Sequence, residues 1–269
     1  MNSTDVSGQY ATGLSRPGIE RALIAAGKDI SHLAPADLGA LEDFHTMGRL
    51  ATAQLAELAG ITGADEVLDA GTGIGGTARF LAARYGSRVT AIDLTREYCE
   101  TADWLNWLTG LDGKITVRPG DVTSLPFPDA AFDVVISQHV QMNVPDKAAL
   151  YAEARRVLRP GGRLALWDAT AGTPGELSYP LPWADRPDRS HLVSATELRA
   201  AVAAAGFAVS LWTDLTDQAV TVMQAVLSRP PEPLGLHAFV PDFAAKAANY
   251  TRALADGRLR VIQAVAIAD

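Results

Sequence analysis

The spacing of apolar residues changes near residue 60, and that change organises the chain. Before it, apolar positions recur at helical intervals. Pro17 suits a first helical turn ahead of Ile19, Ala22, Leu23 and Ala26. Asp37 is placed to cap a longer helix carrying Leu41, Phe44, Leu50, Leu55 and Leu58 and ending near Gly60. From Glu66 onward short apolar runs alternate with helix-period segments. The strands read Val67–Ala70, Arg88–Asp93, Ile115–Pro119, Phe132–Ser137 and Arg163–Asp168, with helices over about 76–85, 96–109 and 146–158. Such alternation predicts an α/β fold with a mainly parallel sheet covered on both faces. Pro160-Gly161-Gly162 ends the helix near Leu158 and launches the fifth strand.

Beyond Asp168 the alternation stops. Residues 169–193 hold Gly172, Pro174, Gly175, Pro180, Pro182 and Pro187, an irregular insertion. Ser194 caps a helix to Ala205, Glu197 completes its capping box and Gly206 ends it. Phe207–Thr213 reads as a sixth strand. Ala219, Val222, Met223, Val226 and Leu227 have helical spacing; a stop at Pro230, Pro231 and Pro233 precedes a helix around 241–255, and Arg258–Ile267 reads as the last strand. Residues 1 to about 15 are polar and expected to be mobile without ligand. The organisation predicted is a domain over 61–269, with insertions at about 169–193 and 214–257 joining residues 1–60 as a helical lid.

Composition narrows the options. The chain has 269 residues, 48% of them hydrophobic, enough for one large α/β domain with a cap. A net charge of −8 and a pI near 5.1 argue against a nucleic acid partner, which needs a basic face. The single Cys99 excludes an internal disulfide framework and a multi-cysteine zinc site. The five histidines are scattered with no H-x-x-x-H pair, so no metal site is expected. No signal-peptide pattern or membrane-length apolar run is present, so the expectation is a soluble, cytoplasmic protein without a membrane partner.

The chemistry concentrates in Glu66–Ala82, where a strand breaks into a turn holding Gly71, Gly73, Gly75 and Gly76 and then opens a helix. Glycines permit close backbone approach, and a helix start offers free N–H groups to a ligand. Gly71, Gly73 and Gly76 satisfy the dinucleotide pattern G-x-G-x-x-G. Asp69, two residues earlier, would repel a pyrophosphate and favour a cation. Asp93 ends the second strand in position for ribose hydroxyls, and Asp121 follows the third in position for an adenine amino group. Three carboxylates at neighbouring strand ends suit a positively charged nucleoside without phosphates.

The stretches VLDAGTGIGG (67–76), VTAID (89–93), GDVTSLPFPDAAFDVVIS (120–137) and RRVLRPGGRLAL (155–166) resemble the class I S-adenosylmethionine-dependent methyltransferases. The flanking parts look, more loosely, like the sarcosine/dimethylglycine, tocopherol and sugar O-methyltransferases. The resemblance implies a Rossmann-like sheet of order 3-2-1-4-5-7-6 with the last strand antiparallel, and S-adenosyl-L-methionine as cofactor. It implies that Gly71 and Gly73 contact the methionine part, Asp93 the ribose, and Asp121 and Val122 the adenine. Asp69 would anchor the turn or the amino group; Thr72 (where many relatives have cysteine), Leu94 and Gln138 complete the set.

A small-molecule acceptor is expected beyond the fourth strand, at Ser137-Gln138-His139-Val140-Gln141-Met142-Asn143-Val144. His139 is the candidate general base, with Asn143 and Gln138 as orienters. Asp168 is a second candidate, as base or cation-orienting carboxylate. His45 is a candidate to close over the methionine end. Tyr179, Trp183, His191, His237, Phe239, Phe243 and Tyr250 supply lid aromatics for an acceptor or for the lid's own core. Arg186 and Arg189 would hold an anionic acceptor or stay solvated. Trp104, Trp107 and Leu108 read as packing residues and Cys99 as inert. Nitrogen or oxygen is the expected acceptor atom. A carbon acceptor on a prenyl or aromatic metabolite, a nicotinamide-dependent oxidoreductase (disfavoured by Asp69 and the absence of Y-x-x-x-K) and a non-catalytic S-adenosylmethionine-binding protein are the alternatives.

Overall fold

Seven strands form one sheet, and alternate residues along each strand enter opposite cores. The computed structural model describes residue 8, residues 10–230 and residues 233–269. Residues 1–7 and 9 of the polar N-terminal stretch, and Pro231 of the proline-rich stop, lie outside the described residues. In chain order the structure runs through α1 (Ser15–Ala25), α2 (Gly39–Glu42), α3 (Arg49–Leu58), β1 (Glu66–Ala70), α4 (Gly76–Arg84), β2 (Arg88–Asp93), α5 (Arg96–Leu108) and β3 (Ile115–Pro119). It continues with β4 (Phe132–Gln138), α6 (Lys147–Val157), β5 (Leu158–Ala171), α7 (Ala195–Ala204), β6 (Phe207–Asp214), α8 (Thr216–Leu227), α9 (Phe243–Ala255) and β7 (Leu259–Ala268).

The strand order is β3-β2-β1-β4-β5-β7-β6. Strands β1 to β5 pair in parallel, and β7 runs antiparallel to both β5 and β6. This is the order that the sequence resemblance implies. Val67, Val89, Val134, Ile136 and Ala165 face a core closed by Ala51 and Leu55 of α3, Ala78 and Leu81 of α4 and Tyr250 and Leu254 of α9. Their neighbours Leu68, Ile92, Val135, Leu164 and Leu166 face the other core, closed by Leu150 and Val157 of α6 and Leu198 and Val202 of α7. Burying each such side chain stabilises by about 1.5–3 kcal/mol, which explains the near-continuous apolar strands. A third cluster joins Ile19 and Leu23 of α1, Leu38 and Leu41, Tyr98 and Leu105 of α5, and Phe239 and Val240. It draws the N-terminal helices and the segment between α8 and α9 together over one end of the sheet.

Local signals explain most boundaries. Asp146 Oδ1 accepts from the Ala149 amide at 2.9 Å and caps α6, and Ser194 with Glu197 forms the capping box of α7. The long N-terminal helix expected up to Gly60 is a correction. The chain forms a 3-10 turn at Pro35–Leu38, the single turn of α2, a break, and then α3. Asp37 accepts from the Ala34 amide at 2.9 Å and pairs with Lys28 instead of capping a long helix. At the break Met47 and Gly48 take left-handed backbone, with φ of 66° and 51°. Helix periodicity cannot register such an interruption, because the apolar residues on either side keep similar spacing. Trp107 is a second correction: it is 66% exposed and packs nothing, whereas Leu108 is buried and Trp104 lies under the Arg16 guanidinium at 4.7 Å. Cys99 is buried, and burial pushes its thiol up to about 12, consistent with an inert residue.

Candidate functional site

The turns that leave β1, β2, β3 and β4 open onto one cavity of about 340 Å³ at the sheet's switch point, where β1 and β4 lie side by side. Asp69, Gly71, Thr72, Gly73, Asp93, Leu94, Asp121, Val122, Gln138, His139 and Asn143 all line it. Asp168 does not.

The two leading glycines serve different ends. A Cβ on Gly71, at φ 83°, would sit 2.3 Å from Val140 Cγ2. Gly71 is therefore needed so that the turns after β1 and β4 can touch. A Cβ on Gly73, at φ 56°, would meet nothing within 4 Å. Its backbone faces open space and is the one a ligand can approach. Asp93 ties these turns together: its Oδ2 accepts from the Gly73 amide and its Oδ1 from the Thr95 amide, both at 2.8 Å. Burial raises its pKa against those two amides, and each oxygen retains a lone pair for a hydroxyl in the cavity. Asp69 accepts from Thr72 Oγ1 at 2.6 Å and is 3% exposed. Burial pushes it up to about 7, opposed by Thr72 and the Ala78 amide and reinforced by Asp93. Asp121 Oδ1 accepts from the amide and hydroxyl of Thr123 at 2.8 and 2.7 Å, an Asx turn that fixes the loop after β3.

Gln138 ends β4 facing the cavity. Its Oε1 accepts from Thr77 Oγ1 at 2.9 Å, while its buried Nε2 has no partner, a donor left for a ligand acceptor. His139 follows with φ of 55°, a left-handed conformation that costs about 1–2 kcal/mol for a side-chain-bearing residue. Two hydrogen bonds hold it: the His139 amide donates to Trp167 O at 2.8 Å, and the Val140 amide donates to Asp168 Oδ1 at 3.0 Å. The role expected of Asp168 is thus corrected in position. Its carboxyl is fully buried beneath the turn, burial pushes it up to about 8, and it braces the backbone that presents His139.

The imidazole of His139 meets the N-terminal segment. Nε2 lies 2.9 Å from Thr46 Oγ1, which lies 2.5 Å from Tyr250 Oη. His45 and Tyr250 rings flank it at 6.4 and 6.0 Å. Burial, with His45 alongside, pulls the His139 pKa down to about 3, and burial also lowers those of His45 and His191. His45 lines the cavity, with Nε2 engaged by Gly48 O at 3.1 Å and Thr52 Oγ1 at 3.0 Å. Opposite, Tyr10 Oη donates to Asn143 Oδ1 at 3.1 Å. Lys147 Nζ donates to Gln141 O and His191 O at 2.7 Å and to Val144 O, locking the loop after β4.

Of the lid aromatics, His191 and Phe239 line the cavity. Trp183 and Tyr250 stack edge to face at 5.7 Å inside the core, Tyr179 and Phe243 pack at its margin, and His237 is exposed. Arg186 is exposed and pairs with Asp188. Tyr10, Thr46, Thr77 and Glu42 were not singled out from the sequence. Only Gly48, a glycine inside an otherwise helical pattern, signalled the break that delivers Phe44, His45 and Thr46.

Residues 68–166 match a family model described as a methyltransferase domain. The sarcosine/dimethylglycine N-methyltransferase of Halorhodospira halochloris is 39% identical over 102 residues, 38% of this chain and 37% of that protein. Geranyl diphosphate C-methyltransferase from Streptomyces coelicolor A3(2), solved with Mg2+, geranyl-S-thiolodiphosphate and S-adenosyl-L-homocysteine, superposes with a TM-score of 0.74 at 20% identity, covering 99% of this chain and 98% of that one. The [4+2]-cyclase SpnF superposes with a TM-score of 0.72 at 23% identity, covering 99% and 97%. The two structural likenesses show the fold. The chain spans 26% to 55% of the length of the curated relatives it matches.

Proposed function

This chain carries a class I S-adenosylmethionine-dependent methyltransferase domain, and on that premise we propose that it transfers a methyl group to the oxygen or nitrogen of a small molecule held against His139. The observation carrying this reading is one cavity in which cofactor-type and acceptor-type residues meet, with Gly73, Asp93 and Asp121 on one side and His139, Asn143 and Tyr10 on the other.

S-Adenosyl-L-methionine fits the first side. The open face of Gly73 admits a ligand against the backbone, the Asp93 carboxylate suits ribose hydroxyls, the loop at Asp121 and Val122 suits the adenine edge, and the unpartnered Gln138 Nε2 suits an acceptor of the amino-acid part. When bound, the cofactor supplies an electrophilic methyl: the acceptor's lone pair forms a bond to that carbon as the carbon–sulfur pair returns to sulfur, leaving an uncharged thioether. What the protein contributes is alignment, the largest lever on such a displacement.

His139 contributes by orienting the acceptor. The Thr46 amide donates to Nε2 at 3.4 Å, so the neutral ring carries its proton on Nδ1, the nitrogen left for the acceptor. The low pKa keeps the ring neutral at physiological pH. Such a ring donates from Nδ1 to one lone pair of an acceptor hydroxyl and leaves another to attack the methyl group, and the hydroxyl proton passes to solvent once the new bond has formed.

His139→Ala is expected to slow acceptor-dependent formation of S-adenosyl-L-homocysteine by about 10²-fold while leaving cofactor affinity unchanged by calorimetry. Undiminished turnover would remove His139 from the reaction. Cofactor binding without turnover on any acceptor would favour the non-enzymatic alternative.

A further inference from the structure

The acceptor side of the cavity has a charge character that the family premise leaves open. Its walls are Tyr10, Phe44, Val144 and Phe239, with His45, His139, Asn143 and His191 as polar groups among them. No residue lining the cavity is lysine or arginine. Residues 1–7, 9, 231 and 232 contain neither type.

The basic residues nearby are spent. Lys147 donates to three backbone carbonyls, those of Gln141, Val144 and His191. Arg79 and Arg49 share Glu42, and Arg49 also holds Asp43 at 2.8 Å. The charges that do face the cavity are acidic: Asp93 and Asp121 on the cofactor side, and Asp146 at the rim, where it caps α6. His45 and His139, lowered by burial, and half-buried His191, lowered by burial and by Lys147 beside it, all shift towards the neutral form, so they add little positive charge. Among the described residues, no group of three His, Cys, Asp or Glu is arranged to hold a metal ion that would neutralise a diphosphate.

We propose that the acceptor is a hydroxyl compound with an apolar body and no anionic group, and that the cavity discriminates against acceptors carrying a carboxylate or phosphate. An anion here would lose its hydration and meet no cationic side chain, which is a costly way to bury a polar group. The aromatic and aliphatic walls instead reward an apolar body, and the neutral imidazole with Asn143 rewards a hydroxyl. Amino-acid acceptors such as sarcosine and dimethylglycine, named for a curated relative, bring a carboxylate with them. Geranyl diphosphate, named for a structural neighbour, brings a diphosphate. Neither substrate class carries over. The inference rests on the methyl-transfer reading, so its test separates the two.

Binding of S-adenosyl-L-homocysteine to the full chain is measured first by calorimetry; no binding would remove the methyl-transfer reading. Matched acceptors are then titrated into the protein, loaded with S-adenosyl-L-homocysteine if it binds and free if it does not: 4-propylphenol against 4-hydroxyphenylpropionate and tyramine, 2-naphthol against 6-hydroxy-2-naphthoate, geraniol against geranyl diphosphate, with sarcosine and dimethylglycine alongside. The hydroxyl member without an anionic group is expected to bind at least tenfold more tightly than its anionic partner in each set, with tyramine binding no more weakly than 4-hydroxyphenylpropionate. Equal affinities for the neutral and anionic members, uniformly absent binding, or a preference for the anion or the amino acids would overturn the proposal. Val144→Lys, which adds a cation to this wall, is expected to narrow the gap between phenol and carboxylate by tenfold or more. A gap that does not move would mean exclusion by shape, and the charge argument would fall.

Discussion

Asp168 and His139 stand on neighbouring strands at the same end of the sheet, yet their environments assign them opposite tasks. His139 sits in the cavity wall with one nitrogen engaged, whereas Asp168 lies beneath it with Oδ2 unpartnered and Oδ1 on the Val140 amide. Between the ordinary value of 3.8 and about 8, the folded state keeps a proton on Asp168 that the unfolded chain has released. Stability therefore falls as pH rises through that window. Asp168→Asn retains an acceptor for the Val140 amide and removes this slope. The variant is expected to melt several degrees above the parent at about pH 8, the difference closing near pH 4. A melting-temperature gap independent of pH would show that Asp168 does not carry a raised pKa.

The break between α2 and α3 decides more than any regular element around the site. It carries Phe44 and His45 into the cavity and Thr46 against His139, and an ion network fastens it there. Glu42 and Arg79 are both fully buried and paired at 2.7 Å, and Arg79 also donates to Ile74 O at 2.6 Å and Asn106 Oδ1 at 2.9 Å. The guanidinium thereby joins the N-terminal segment to the glycine turn and to α5. Removing one partner of a buried pair leaves the other uncompensated, at about 3–5 kcal/mol. Glu42→Ala is expected to lower the unfolding free energy by that order in urea titration, and Glu42→Gln, which keeps an acceptor, by less. Two equal and small losses would mean that the network does not hold the lid.

Across the molecule, the N-terminal segment and the sheet together line a cavity, so binding of a ligand there would be linked to global stability. A ligand present at a hundred times its Kd adds about 2.7 kcal/mol to folding. S-Adenosyl-L-methionine or S-adenosyl-L-homocysteine is expected to raise the melting temperature in a concentration-dependent way. Asp93→Ala is expected to forfeit most of that shift, because a charged hydrogen-bond acceptor for the ribose contributes about 1.5–3 kcal/mol. A shift retained in full would withdraw the ribose assignment, and a shift produced by NAD alone would withdraw the cofactor assignment.

The strand-end side of the cavity was legible in the sequence because its residues lie within a few positions of strand ends. Asp69, Gly71, Gly73, Asp93, Asp121 and Gln138 each follow or end an apolar run that any parallel sheet aligns, so their convergence follows from strand periodicity and short connections. Period and turn chemistry likewise announced the alternation of strands and helices and the α7 cap. Convergence that depends on long-range packing was not legible. Tyr10 meets Asn143 across 133 residues and Thr46 meets Tyr250 across 204, and no local pattern encodes those approaches. Nor does a carboxylate's place in a sequence reveal whether it faces a cavity, as Asp93 does, or lies beneath a turn, as Asp168 does. Local periodicity determined the fold and the turn residues gathered at the strand ends; the tertiary burial of charge decided which groups face the cavity, because desolvation and pairing are properties of the assembled neighbourhood.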